Sequence, residues 1–159
     1  MSQATPTMAS ASPYEQVCSA EQASAYSAAQ IREAIAYWVG HDRLDIADAL
    51  VAAGMGLYPE SEDILAIGAL LAEINQDWAQ AQDCLERLMA VQGQAASAES
   101  FFHLVRVMRC RSSLFSAYRT AQRGLEKHPQ HAGLNQELAE LTELLEVAPV
   151  STQVEAHAA

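Results

Sequence analysis

The chain has 159 residues and a formal net charge of −11, with 20 acidic and nine basic side chains. That length suits one domain with a real core, and the acidic surface argues against nucleic acid or an anionic membrane as the main partner. The three cysteines, Cys18, Cys84 and Cys110, are far apart, which argues against a disulfide framework and predicts a reducing, cytoplasmic compartment. No apolar run is long enough to span a membrane, and the first 13 residues lack the features of a signal peptide.

The N-terminal segment predicts a disordered start, residues 1–11, followed by a helical extension over 12–27. Ser12, Pro13 and Glu15 combine an N-cap serine, a proline at the first helical position and a glutamate three residues after the cap. The apolar face of this helix is thin and consists of Tyr14, Val17, Cys18 and Ala25. We therefore predict that it mediates self-association, as a homodimer contact, rather than folding of the core.

The next segment contains a repeat of about 34 residues, each unit holding two helices. The second helices align at Ala47, Ala81 and Ala117, each with a bulky residue three positions earlier. The first helices each show apolar residues at i, i+3, i+4 and i+7, one face of an α-helix. These faces are Ile31, Ala34, Ile35 and Trp38; Leu65, Gly68, Ala69 and Ala72; and Phe101, Leu104, Val105 and Met108.

Local signals support these units. Polar side chains that can cap helices precede the second helices at Asp42, Asp77 and Ser113, and the later first helices at Ser61 and Ser97. The third unit is two residues out of phase with the second, and the small-residue stretch Gly93–Ala98 can hold the surplus as a loop.

A last helix, within 131–147, has the character of an end cap. Its apolar residues fall at Leu134, Leu138, Leu141 and Leu145, and four glutamates lie between and after them. A helical-repeat array needs a terminal element that is apolar inside and polar outside. We expect Pro149 to stop this helix and 148–159 to form a disordered tail.

This pattern resembles the tetratricopeptide repeat, a two-helix unit of 34 residues. Matching features include Gly68, the three aligned alanines, and Pro59 and Pro129 at the ends of two units. The sequence departs from the family at Gly93, where the middle unit lacks proline. The resemblance implies an all-α fold: three tandem helix-turn-helix repeats, about 28–61, 62–97 and 98–130, forming a short superhelical solenoid within a domain spanning 28–147.

Candidate chemical sites have plainer interpretations. His128 and His131 have a spacing that some metal sites use, but further ligands such as Cys110 or Glu126 could only be guessed, so a turn with two solvated histidines is favoured. The stretch 54–56, Gly-Met-Gly, lacks the strand of a nucleotide loop and indicates packing at a helix end. Cys84 and Cys110 lie beside apolar residues and are predicted to be core thiols. We predict no enzyme activity, no metal and no cofactor.

The basic residues are concentrated in one region. Six of the nine fall between Arg106 and Lys127, opposed there only by Glu126: Arg106, Arg109, Arg111, Arg119, Arg123 and Lys127. Two interpretations remain open. The cluster can pair with the glutamates of the capping helix, or some of its arginines can line a binding groove.

The resemblance implies a peptide-binding groove lined by the first helices. The implied positions are Arg32, Ala36, Val39, Ala66, Leu70, Glu73, Phe102, Arg106 and Arg109. The asparagine and lysine set that clamps a peptide C-terminus in chaperone-cofactor members of the family is missing, which argues against an Hsp90 or Hsp70 tail as the ligand.

The overall plan is similar to that of small tetratricopeptide-repeat chaperones of type III secretion translocators, which are also acidic chains of about this size. That similarity implies a cytoplasmic chaperone that holds an extended segment of an exported client protein, without nucleic acid binding or membrane insertion. The alternative is a structural adaptor, a scaffold subunit of a secretion or motility apparatus. The two differ in ligand, since an adaptor would bind folded parts of a machine.

Overall fold

A computed structural model of the protein describes residues 13–147, which contain helices and turns and no β-strand. A short 3-10 helix, Pro13–Gln16, comes first. It is followed by α1 (Ala20–Ala23), α2 (Ala28–Gly40), α3 (Leu44–Leu57), α4 (Glu62–Ile74), α5 (Trp78–Gln92), a 3-10 turn (Gly93–Ala95), α6 (Ala98–Cys110), α7 (Leu114–Lys127) and α8 (Ala132–Val147). The described chain forms two compact units, 13–67 and 68–147, which divide within α4. The predicted disordered termini, 1–11 and 148–159, lie outside the described residues.

The helices repeat with the predicted phase. Helices α2, α4 and α6 begin at 28, 62 and 98, and the turns that end them carry a positive φ at Asp42, Gln76 and Ser112. In each turn the following backbone N–H donates to a carbonyl five residues earlier, as Asp77 N–H does to Ala72 O at 2.8 Å. This is the Schellman pattern, in which a left-handed residue closes the last helical turn. The all-α helical-repeat prediction is confirmed.

The predicted apolar faces form the core of each unit. Ala47 is buried in the first unit, and Ala81 and Ala117 in the second, all with no exposed surface. The inward faces of α2, α4 and α6 are buried as predicted, with Trp38 half-buried as the exception. Small residues at these positions let helix backbones approach closely, which large side chains would prevent.

The N-terminal segment differs from the prediction of one helix. It consists of the 3-10 helix and α1, which pack against α2 and α3 respectively. Val17 is fully buried, the Trp38 indole N–H donates to Val17 O at 2.8 Å, and the Tyr58 hydroxyl donates to Tyr26 O at 2.8 Å. The prediction that this segment takes no part in folding of the core is therefore wrong, because it supplies buried side chains and hydrogen bonds to the first unit. Its role in self-association stays a prediction.

The predicted caps are confirmed in part. Asp77 accepts a hydrogen bond from Gln80 N–H at 3.0 Å, and Ser61 and Ser97 likewise accept from the backbone three residues on. Asp42 is not the N-cap of α3, because it adopts the left-handed conformation and Arg43 takes the cap position. Ser113 is the N-cap of α7 but makes no side-chain capping bond.

The two surplus residues lie where the sequence placed them. Helix α5 runs to Gln92, and Gly93 follows with φ +53°, a conformation that favours glycine. A 3-10 turn then leads to Ser97. Glycine rather than proline stands at position 93 because the residue that ends α5 needs a positive φ, which proline cannot adopt.

Helix α8 ends the second unit as a cap. It packs against α6 and α7, with Leu134 and Leu141 fully buried. It lies in phase with α6, but Asn135 and Thr142 stand where α6 has Phe101 and Met108. The Asn135 amide donates to Pro129 O and the Thr142 hydroxyl to Leu138 O. The side of α6 that carries Phe101 and Met108 is apolar, whereas the equivalent side of α8 is polar and makes hydrogen bonds within the second unit.

Candidate peptide-binding surface

In the first unit, the predicted groove positions lie on α2 and the start of α4. Arg32 on α2 pairs with Glu33, and its Nε lies 3.3 Å from Asp63 Oδ1 on α4. Ala36 is exposed, whereas Val39 and Ala66 are half-buried. The charge of Arg32 is thus already opposed by two carboxylates of its own unit.

In the second unit, the end of α4 exposes apolar side chains. Leu70 is 45% exposed, and Ile74, one turn further on, is 53% exposed. Glu73 lies between them, and its Oε1 is 3.2 Å from Nδ1 of His103 on α6. This pair joins α4 to α6 and leaves the two apolar side chains beside it open to solvent.

Phe102 on α6 is half-buried and held in place by α8. A Cβ built on Gly133 would lie only 2.8 Å from the Phe102 ring, so the glycine makes room for it. The ring centroid is 5.6 Å from that of His131, and the Arg106 guanidinium carbon lies 5.7 Å above the ring. Arg106 is exposed, and among residues 13–147 it forms no ion pair. An aromatic surface with a free cation beside it results.

Arg109, one turn further along α6, is occupied by the capping helix. Its Nη1 donates to Glu137 Oε2 and, at 2.8 Å, to Glu140 Oε2. The Glu137 hydrogen bond raises the pKa of Arg109, and bonds from Gln136 and Arg109 lower the pKa of the Glu140 carboxyl. The charge of Arg109 is therefore neutralised within the unit, as the capping-helix interpretation predicts.

The rest of the basic cluster divides between internal contacts and open surface. Arg111 donates to Gln82 on α5 at 2.6 Å, and Lys127 lies 5.9 Å from the centre of the Phe101 ring. Arg119 and Arg123 are exposed on α7. The cluster is therefore not one site.

The two histidines near α8 have structural contacts. His128 donates from Nε2 to Ala96 O at 2.9 Å. His131 Nδ1 accepts from Leu134 N–H at the start of α8, which leaves Nε2–H to donate to Glu99 at 3.2 Å. The prediction of two solvated histidines is therefore wrong. Among residues 13–147, no group of three side chains could hold a metal ion.

Two other sequence candidates can be assigned. Gly54 is buried in the last turn of α3 against Ile64, as the helix-end interpretation predicted. Cys84 is buried, and burial raises the pKa of its thiol to about 11. Cys110 is exposed, so its prediction as a core thiol is wrong. It is the last residue of α6, at the position that Ile74 occupies in α4, where helix ends are open to solvent.

Ile74 and Leu144 are exposed surface residues that were not predicted from the sequence. Leu144 on α8 is 44% exposed and occupies the same repeat position as Ile74 and Cys110. The sequence contained a signal for this exposure. Extending the repeat phase to α8 places Ile74, Cys110 and Leu144 at the same position of their helices.

Comparison with known proteins gives structural matches alone. No family model matches the chain, and no curated protein does. None of the helices among residues 13–147 combines the length and apolar character needed to cross a bilayer.

Several solved structures are similar. The first TPR domain of human RPAP3 has a TM-score of 0.63 at 17% identity, covering 75% of this chain and 92% of that domain. MamA of AMB-1 has a TM-score of 0.70 at 15% identity, covering 84% and 70%. The TPR domain of Sgt2 from Aspergillus fumigatus has a TM-score of 0.64 at 13% identity, covering 82% and 90%.

Two structures of RPAP3 domains contain peptides. The first domain was solved with the HSP90 peptide SRMEEVD and the second with the HSP70 peptide SGPTIEEVD. At identities of 12–17% the likeness concerns the fold. Together with the 34-residue phase and the repeated helix turns, it shows that this chain has the fold of tetratricopeptide-repeat domains.

Proposed function

We propose that the protein is a protein-interaction module that binds an extended peptide segment on its second unit. The surface, called here the α4–α6 surface, consists of Leu70, Ile74, Phe102 and Arg106. The observation that carries the proposal is the exposure of Leu70 and Ile74 beside the pair that joins α4 to α6. Exposed apolar side chains grouped with an aromatic ring and an arginine are typical of interaction sites.

The charges of this surface define the ligand more narrowly than the sequence did. Of the three predicted groove arginines, Arg32 and Arg109 already have carboxylate partners, and Arg106 has none within the described chain. Glu73 adds a negative charge close by. The ligand is therefore an extended segment with apolar anchors and one acidic residue placed against Arg106, rather than a strongly acidic segment.

The cellular role we propose is that of a cytoplasmic chaperone holding such a segment of an exported client protein. The support is the fold, which the RPAP3 domains solved with peptides share, and the similarity in plan to type III secretion chaperones. The predicted groove positions on the first unit, Arg32, Ala36, Val39 and Ala66, stay part of the proposal as a separate patch.

The alternative function is a structural adaptor that binds folded subunits of a secretion or motility apparatus. The observation that favours it is Phe115 on α7, which is 65% exposed and lies outside the α4–α6 surface. The predicted homodimer through 12–27 stays a separate proposal. Because Val17 and Ala23 face inward, only the outer side of that segment remains for such a contact.

The test is peptide selection followed by affinity measurement. A random peptide library is selected on the wild-type protein, and the best peptide is titrated against purified variants. We expect selected peptides to pair aliphatic or aromatic residues with one acidic residue. Phe102→Ala with Arg106→Glu should weaken binding at least tenfold, since truncating a central aromatic or arginine commonly costs about 2 kcal/mol.

Two further variants sharpen this result. Gly133→Ala leaves Phe102 in the sequence but puts a methyl group where its ring lies, so it should weaken the same peptide while α8 stays helical. Phe115→Ala with Arg119→Glu is the matched control on α7 and should bind normally. If the folded Phe102 and Arg106 variant binds every selected peptide as wild type does, the peptide-binding proposal is wrong.

A further inference from the structure

The outward side of α7 carries a basic and aromatic stripe that the peptide proposal does not use. Phe115, Arg119 and Arg123 are spaced by four residues, so they lie along one side of the helix over about 12 Å. Phe115 is 65% exposed, and both arginines are exposed. Within residues 13–147, neither arginine has a carboxylate at ion-pair distance.

These two arginines differ from most of the basic cluster. Arg109 holds α8, and Arg111 holds a side chain of α5. Arg119 and Arg123 form no ion pair within the described chain, although the protein has 20 acidic residues and a net charge of −11. An unpaired basic stripe on so acidic a protein is a natural attachment point for acidic surface from another molecule.

The end of α8 presents the complementary chemistry. Glu143, Leu144, Glu146 and Val147 are all exposed there, and Leu141 is fully buried. Glu143, Glu146 and Val147 lie on the side of the helix away from Leu141, and Leu144 lies at the edge of the buried side. Leu144 is 44% exposed and Val147 80%. The end of α8 thus offers two carboxylates and two aliphatic side chains. These complement the two guanidinium groups and the phenyl ring of the α7 stripe. The glutamates do not pair with the arginines of their own chain.

We propose that the protein self-associates head to tail, with the end of α8 of one copy on the α7 stripe of the next. The two surfaces are different parts of the chain, so the contact is heterologous and each copy keeps one free surface of each kind. Phe115 packs against Leu144 and Val147 of the neighbour, and Arg119 and Arg123 pair with its Glu143 and Glu146. The α4–α6 surface takes no part, so this contact is independent of the peptide proposal.

Charge reversal with complementation tests the contact by sedimentation velocity. The α7 variant is Arg119→Glu with Arg123→Glu, and the α8 variant is Glu143→Lys with Glu146→Lys. All four side chains are exposed, so the variants should melt as wild type does. Wild type should associate as its concentration rises toward about 1 mM. The association should weaken strongly between about 50 mM and 500 mM salt, because exposed ion pairs are screened.

Each variant alone should remain monomeric, because its α7 stripe and α8 end then carry like charges. Mixing the two variants in equal amounts should restore association, since each reversed surface meets an opposite one. Asp83→Lys with Glu86→Lys on α5 changes the net charge by the same amount as the α8 variant at exposed positions elsewhere. This control should associate as wild type does.

Three results would overturn the proposal. One is a wild type that stays monomeric at every concentration measured. The proposal is wrong in that case even if the α7 stripe binds a polyglutamate peptide, because the stripe would then serve another acidic partner. A second is association that persists unchanged in the α7 and α8 variants. The third is an α5 control that loses association as fully as they do, because net charge alone would then explain the effect.

Discussion

At the level of single residues, the packing between helix pairs depends on exchanging small and large side chains. A Cβ on Gly54 would lie 2.9 Å from Ile64, and one on Gly124 would lie 2.9 Å from Leu134. The equivalent positions in the middle repeat are Leu88 and Ser100, with the large residue on the other helix. A similar total volume is kept, which packed cores require.

We expect Gly124→Ala to destabilise the protein although alanine is the better helix former. The new methyl group would lie 3.0 Å from Phe101 Cβ, and that atom cannot move without the backbone of α6. Overpacking of this kind costs about 1–3 kcal/mol, and the helical gain of up to about 1 kcal/mol offsets only part of it. Chemical denaturation measures the difference.

Gly56→Ala is the matched control for that variant. Nothing lies within 4 Å of the added Cβ, so the same substitution near the end of α3 should be neutral or slightly stabilising. If Gly124→Ala were as stable as Gly56→Ala, the close approach of α6, α7 and α8 would not exist as described.

Ala81→Leu should lower the free energy of unfolding by about 1–3 kcal/mol, because Ala81 has no exposed surface. A thermal melt within a degree of wild type would show that the repeat phase is wrong. Ala79→Leu, at an exposed position on the same helix, controls for the change in helix composition and should melt normally.

At the level of helices, the contact between α6 and α8 is electrostatic as well as apolar. Arg109 bonds Glu137 and Glu140. Hydrogen bonds from Gln136 and from Arg109 lower the pKa of the Glu140 carboxyl. A carboxyl whose pKa is lowered on folding stabilises the protein at pH values above its ordinary pKa, which is 4.5 for Glu140. That contribution is lost as the pH falls through the folded-state pKa.

Glu137→Gln with Glu140→Gln should therefore lower the melting temperature by a few degrees at neutral pH. The difference from wild type should shrink as the pH falls through the lowered pKa of Glu140, because the wild-type Glu140 carboxylate then also becomes neutral. Glu143→Gln removes an exposed charge from the same helix and should change little. A gap that stays constant down to low pH would show that charge pairing does not hold α8.

The sequence predicted the helices well because their apolar faces and capping serines act locally. It predicted Ser61, Ser97 and Asp77 as caps but failed at Asp42, because the left-handed turn moves the cap one residue onward. The same left-handed turn recurs at Gln76 and Ser112. The alignment of these polar residues with Asp42 was the signal that Asp42 belongs to the turn and not to the cap. Cys110 was misassigned because the apolar residues Val107 and Met108 lie close before it, although its immediate neighbours are arginines and its repeat position matches the exposed Ile74.

At the level of the whole molecule, the sequence placed the candidate residues on particular helices but could not assign their partners. Arg106 and Arg109 look alike in the sequence, yet one is free and the other is bound by two glutamates of α8. That distinction depends on how α8 packs against α6, which no spacing within α6 encodes. The surface left open for a ligand is consequently smaller and less basic than the sequence predicted.

Methyl NMR of the protein titrated with the best selected peptide tests most directly whether the α4–α6 surface binds that peptide. Leu70 and Ile74 are exposed on the proposed surface, whereas Leu57 and Val91 are similarly exposed elsewhere and serve as internal controls. If the peptide binds the α4–α6 surface, the methyl signals of Leu70 and Ile74 should shift with the affinity measured for the peptide, while those of Leu57 and Val91 stay in place. Shifts at Leu57 or Val91 with Leu70 and Ile74 unchanged would contradict binding at the α4–α6 surface.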